Sequence, residues 1–198
     1  MKKKKEKDIV FLLDRSGSMY SFTNDTIGGY NSYLEKERKN SNTRITTVLF
    51  DDQYEVLHNR IKIGEVKNIT DKEYYTRGCT ALYDAIGKTI MNLDNEGVDK
   101  VLFVITTDGL ENASREYNKD SIKSLIKKHK NWEFMYIGAN IDSYDEGAKI
   151  GIRKENIANR ANSREGMARM FGAVAKASKM YEEADEINIS WKNDLEDN

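Results

Sequence analysis

Three nearly unbroken apolar runs punctuate the chain: Ile9 to Leu13, Val101 to Ile105 and Phe134 to Ile137. Each is short for a helix and has no polar face, which is the pattern of a strand covered on both sides. They predict strands over 8–13, 100–106 and 132–137. The segment 43–50 is rich in β-branched residues and predicts a fourth strand. Asp51-Asp52-Gln53 is turn chemistry, and 54–58 returns as a short strand. So tight a connection makes an antiparallel hairpin, placing that strand at a sheet edge. Residues 60–73 show no clear period and read as irregular chain, and 156–158 as a weak edge strand.

Between these strands the apolar period changes to that of a helix. A helix over 23–39 would bury Ile27, Tyr30 and Leu34, with Gly28-Gly29 allowing close packing on the sheet. Gly78-Cys79-Thr80 opens a second, whose stripe is Leu82, Ala85, Ile86, Thr89, Ile90 and Leu93. A third starts near Asn118 and a short one covers 143–150. The last begins at Asn162 or Ser163, with Glu165 as a capping-box partner and Met167, Met170, Phe171, Val174 and Tyr181 on its apolar face. Strand–helix alternation of this kind implies an α/β fold, Rossmann-like and doubly wound. Its sheet is mostly parallel with one antiparallel edge strand, and helices cover both faces.

Composition narrows the setting. The chain has 198 residues, 38% hydrophobic and 33% charged, with a net charge of −1. That suits one charged globular body and gives no reason to expect nucleic acid or membrane as a partner. The lysines at 2–5 precede an apolar run too short for a signal peptide, and no transmembrane stretch is present. A single cysteine, Cys79, excludes an internal disulfide and points to a reducing cytoplasm. The organisation expected is a solvated basic lead-in over 1–7, a domain over 8–181 and an acidic tail over 182–198. That tail is expected to be mostly solvated, with Trp191 able to pin it.

The chemistry concentrates where the first strand ends. Asp14, Ser16 and Ser18 alternate with Arg15 and Gly17, so three oxygen-bearing side chains can converge. This is a partial shell for a hard cation such as Mg²⁺ or Mn²⁺. Asp108 also ends a predicted strand, and Thr80 lies in a loop entering a helix. In doubly wound sheets ligands bind beyond the C-terminal strand ends, so all these residues can share one rim.

Asp-x-Ser-x-Ser after a first strand, the Thr of Gly-Cys-Thr-Ala-Leu-Tyr-Asp-Ala-Ile and the Asp of Ile-Thr-Thr-Asp-Gly together resemble a von Willebrand factor type A domain. The resemblance runs from Asp8 to about Tyr181. It is to the compact intracellular domains of bacteria and phages, some linked to tellurium-resistance operons. It implies a metal-ion-dependent adhesion site made by Asp14, Ser16, Ser18, Thr80 and Asp108. Ser16 and Ser18 would bind the metal directly, and Thr80, Asp14 and Asp108 directly or through water. Cys79 replaces a common glycine without touching a ligand. The implied function is a non-enzymatic, Mg²⁺-dependent protein-interaction module that captures an acidic residue of a partner. A metal-dependent phosphoryl-transfer enzyme is the alternative. Against it, Ser16 stands where an aspartyl-phosphate enzyme needs a second Asp, and there is no phosphate-binding Gly-x-x-x-x-Gly-Lys loop.

Other polar residues have plainer readings. His58 and His129 read as surface or packed histidines, and Cys79 as a small buried residue beside Thr80. Asp51-Asp52 reads as a turn, and Asp84 as support for the Thr80 loop. Glu111, Asn112, Asn140 and Asp142 lie on rim loops, as ordinary loop polarity or as selectors of a partner.

Overall fold

The computed structural model describes residues 6–40 and 42–196. The apolar runs form the centre of a sheet: β1 (Lys7–Asp14), β4 (Val101–Thr107) and β5 (Glu133–Gly138), with β2 (Thr43–Phe50) beside β1. The edge strands are β3 (Tyr54–Lys62) and β6 (Ile157–Asn159). The strand order is β3-β2-β1-β4-β5-β6. Among the described residues only β2 and β3 pair antiparallel. This is the doubly wound, mostly parallel sheet expected from the sequence, with its antiparallel strand at the edge.

Each face of the sheet has its own core. On one, α1 (Thr23–Glu37) and α5 (Arg164–Ala184) cover Ile9, Phe11, Leu13, Leu102 and Val104. On the other, α2 (Leu82–Asn95), α3 (Lys119–Lys128) and α4 (Ser143–Lys149) cover Val10, Leu12, Phe103 and Ile105. Odd and even positions of β1 thus enter different cores, which is why that run has no polar member. From β1 the chain winds outward to β2; from β4 it winds the other way to β5. The crevice between β1 and β4 is therefore the topological switch point.

Several expectations are corrected. The third strand runs on to Lys62, past the predicted end at 58, through a bulge where Arg60 adopts φ 48°. Residues 63–65 then form a short 3₁₀ turn. The bulge breaks the alternation that would have marked this length of strand. Gly29 permits close packing on α5, not on the sheet: a Cβ there would lie 2.2 Å from Phe171. Ser163 caps α5 by accepting from Gly166 N, and because Gly166 holds the third helical position Glu165 completes no capping box.

The tail is also more ordered than its charge suggests. Trp191 is fully buried, with Ile187 and Leu195 beside it in the α1–α5 core. Trp191 Nε1 donates to the Glu155 carbonyl, and Lys192 Nζ donates to the Ile157 carbonyl of β6. Charge dominates the composition of 182–198, but the apolar residues fall on one side and cover the sheet's end. Of the basic lead-in, residues 1–5 lie outside the described residues. Glu6 pairs with Arg44, and Lys7 begins β1 and pairs with Asp185.

Candidate metal centre

The parallel register sets Leu13 of β1 opposite Thr106 of β4, so Asp14 and Thr107 leave the sheet side by side. Asp14 is fully buried. One of its oxygens accepts from Ser16 N at 2.7 Å and the other from Thr107 Oγ1 at 2.5 Å. Tyr74 donates its hydroxyl to the Asp14 carbonyl. Burial pushes the Asp14 carboxyl up to about 6, against the donations of Thr107 and Ser16.

Beyond Asp14 the chain turns sharply. Ser16 and Ser18 then bring their hydroxyls within 3.1 Å of one another, and Ser18 donates to Asp108 at 2.5 Å. Thr80 comes from the opposite side, held by backbone. Its N–H donates to the Asn112 side chain, and its carbonyl accepts from Asn112 N and Ala113 N. The Ser16–Ser18 turn is tied to this loop where Gly17 N donates to the Gly78 carbonyl.

Gly109 shows where the hydroxyls point. A Cβ built on it would stand 3.1 Å from Thr80 Oγ1, 3.4 Å from Ser18 Oγ and 4.0 Å from Ser16 Oγ. Three hydroxyl oxygens thus border one small space that only a side-chain-free residue leaves open, with the Asp108 carboxylate bonded to Ser18 Oγ and that of Asp14 to Ser16 N. The five residues singled out in the sequence are brought together. Among the described residues no group of three or more His, Cys, Asp or Glu is placed to hold a metal ion, and the donor set here is three hydroxyls with two carboxylates nearby.

Solved structures have the same architecture. Proximal thread matrix protein 1 from the mussel byssus, in the form with a zinc-occupied MIDAS motif, matches with a TM-score of 0.65 at 18% identity. The match spans 88% of this chain and 46% of that one. The von Willebrand factor type A structure from Catenulispora acidiphila matches with a TM-score of 0.59 at 15% identity, over 88% and 43% of the two chains. The fold is that of a von Willebrand factor type A domain. The vWF domain of the type V pili tip protein Mfa5 from Porphyromonas gingivalis has that fold too, with a TM-score of 0.67 at 8% identity over 90% and 96% of the chains. No protein-family model and no curated protein matches the sequence. The chain spans less than half the length of the mussel and Catenulispora structures.

On this type A fold the neighbouring polar residues have definite tasks. Asp84 supports a different loop from the one expected: its carboxylate accepts from the backbone N–H groups of Arg115, Glu116 and Tyr117. Burial raises its carboxyl, but these donations outweigh burial and leave it below the ordinary carboxylate value. Glu111 accepts from Tyr83 N, Ala113 N and Ser114 N, so its side chain holds the rim together. Asp142 caps α4, and Asn140 takes a left-handed conformation, φ 57°, at the turn before it. His129 is packed, bonded to Asp94 and the Leu125 carbonyl, and His58 lies on edge strand β3. Cys79 is exposed rather than buried.

Sequence reasoning missed the second layer of this rim. Arg15 is fully buried and pairs with Asp51 and Glu55, while Arg77 reaches the same Asp51 oxygen. Asp51 is therefore more than a turn residue: it ties the metal-rim turn to the hairpin and to the irregular segment before Thr80. Thr107 and Tyr74, which hold Asp14, were equally unmarked. The signal available for Thr107 was a hydroxyl next to Asp108 at the end of an otherwise apolar run.

Proposed function

We propose that this chain is a metal-dependent protein-interaction module. Ser16, Ser18 and Thr80 would hold a divalent cation, Mg²⁺ by preference and Mn²⁺ as a substitute, with Asp14 and Asp108 in support. The observation that carries this reading is the convergence of three hydroxyls on the space before Gly109. An all-oxygen donor set fits a hard cation. The zinc-occupied MIDAS of the mussel protein supports a divalent metal on this fold. Asp14 already spends both oxygens on Ser16 and Thr107, which favours a positioning role for it.

When bound, the cation supplies a positive centre undercompensated by neutral ligands. A Glu or Asp of a partner protein is the natural group to complete it, through a charge-assisted contact. Phosphoryl transfer is the less favoured reading, because no carboxylate stands at position 16 to act as a general acid. The module is therefore read as non-enzymatic. A cytoplasmic setting is part of the proposal on the strength of one exposed, unpaired cysteine, Cys79. Against that setting, similar structures include a pilus adhesin from Lactobacillus rhamnosus GG and a minor pilin from Streptococcus sanguinis. Among the described residues no helix is long and apolar enough to cross a membrane.

Thermal denaturation with and without Mg²⁺ tests the site. Free Mg²⁺ at about ten times Kd adds roughly 1.4 kcal/mol, a Tm rise of about 3–6 °C at this length. Ser18→Ala and Asp14→Ala should abolish the rise. An equal response in wild type and both variants would place any metal elsewhere. Thr80→Ala should weaken partner capture in Mg²⁺ without unfolding the chain, and capture that is unchanged in EDTA would sink the metal-dependent reading.

A further inference from the structure

At the end of the sheet remote from the metal rim, a cleft opens between α3 and the chain joining α4 to β6. Its volume is about 490 Å³, within the usual range for small-molecule sites. The floor is apolar, formed by Ile126, Trp132, Phe134 and Ile152, all nearly buried in the sheet's second core. The mouth is basic: Lys123, Lys127, Lys130 and Arg153 line it, and among the described residues no carboxylate does. In a chain with 32 basic and 33 acidic residues this is a marked segregation of charge.

The arginine has partners in Glu133 and Glu155. The three lysines form no ion pair among the described residues. Lys123 and Lys127 stand four residues apart on α3, where like charges repel. The helix dipole favours Lys127 in the last turn but does little for Lys123, which lies before it. Gly151, at φ 89°, lets the opposite wall pass close to the Lys123 stem, where a Cβ would lie 3.3 Å from its Cγ. The cleft therefore joins three lysines that form no ion pair among the described residues to a buried aromatic floor.

We propose that this cleft binds a small aromatic phosphate ester of mononucleotide size. The ring lies on the Trp132–Phe134 floor and the phosphate sits among Lys123, Lys127 and Lys130. Lysine ammonium groups suit phosphate, and a dianion relieves the repulsion between them. The site is independent of the metal centre, so its occupancy should not change in EDTA.

The test is calorimetric titration of the full chain with adenosine monophosphate, in EDTA and at low salt, with Trp fluorescence followed in parallel. Binding with a Kd of about 1 mM or tighter is expected, with a change in Trp emission. Adenosine and inorganic phosphate should each bind at least about tenfold more weakly, because each keeps only half of the recognition. Lys123→Glu/Lys130→Glu, both exposed positions, should weaken binding by at least about tenfold, and Lys127→Gln by less. The proposal is overturned if the nucleotide produces no heat, if the double variant binds it unchanged, or if phosphate alone binds as tightly. Circular dichroism of each variant confirms that any loss arises at the cleft and not from misfolding.

Discussion

Gly109 is where a single methyl group separates fold from site. It needs no special backbone angle, so Gly109→Ala should keep the fold, with the Thr80 hydroxyl giving way by a few tenths of an ångström. The added methyl would fill the space bordered by Thr80, Ser18 and Ser16. The expected outcome is loss of most of the Mg²⁺-dependent Tm rise, measured for each protein against its own metal-free Tm, with the circular dichroism of the fold retained. A full rise in this variant would show that the hydroxyls do not act together. Asp14, Ser16 and Ser18 were legible because oxygen-bearing residues alternating at a strand end are a local pattern, while Asp108 and Thr80 joined them as candidates through a second strand end, a helix entry and the family resemblance. Thr107, Tyr74 and the Arg15–Asp51–Arg77 cluster were not. Thr107 lies 93 positions from the carboxylate it serves, and Arg15 and Asp51 are 36 apart. No local pattern carries such pairings, which exist only once the strands are in register.

At the scale of elements, the loop from 109 to 118 presents the rim, and Asp84 on α2 anchors its far end. A buried carboxylate accepting three backbone donations is worth several charge-assisted bonds, so Asp84→Ala should cost about 2–4 kcal/mol. Its folded-state carboxyl lies below the ordinary value. The sign follows: its contribution is complete above the unfolded carboxylate pKa of about 4 and is lost as pH falls through the lower folded value. Urea denaturation at pH 7 and near pH 3 should show the gap between wild type and variant shrink at the acid end. A gap that is constant, or that widens in acid, would contradict this assignment. The central strands β1, β4 and β5 were legible because continuous apolar runs have one common cause, burial on both faces. The extension of β3 was hidden by its bulge, and the docking of the tail by the acidic residues around Ile187, Trp191 and Leu195.

For the whole molecule, two independent cores hold the sheet and the candidate ligands stand at its rim. Helical circular dichroism should therefore survive EDTA nearly unchanged, in contrast to small metal-nucleated domains. Loss of most of the signal would show that the cation is structural. Trp191 belongs to the fold proper. Trp191→Ala should cost about 3–5 kcal/mol, visible as a lower urea midpoint, because it empties a fully buried ring site in the core. A midpoint within error of wild type would show that the tail merely rests on the surface.

The two ends of the sheet have a bearing on how this protein behaves at high concentration. A free strand edge is a template on which further copies can stack into aggregates. β6 is only three residues long, and the Lys192 ammonium already occupies its Ile157 carbonyl. β3 is longer, but its bulge twists it at Arg60, and it carries Glu55, His58, Arg60 and Lys62. One edge is too short and the other too bent and charged to offer a straight, open row of backbone donors and acceptors. Both ends are thus poor templates for strand addition, one of them because of the same tail that the sequence marks as acidic and solvated.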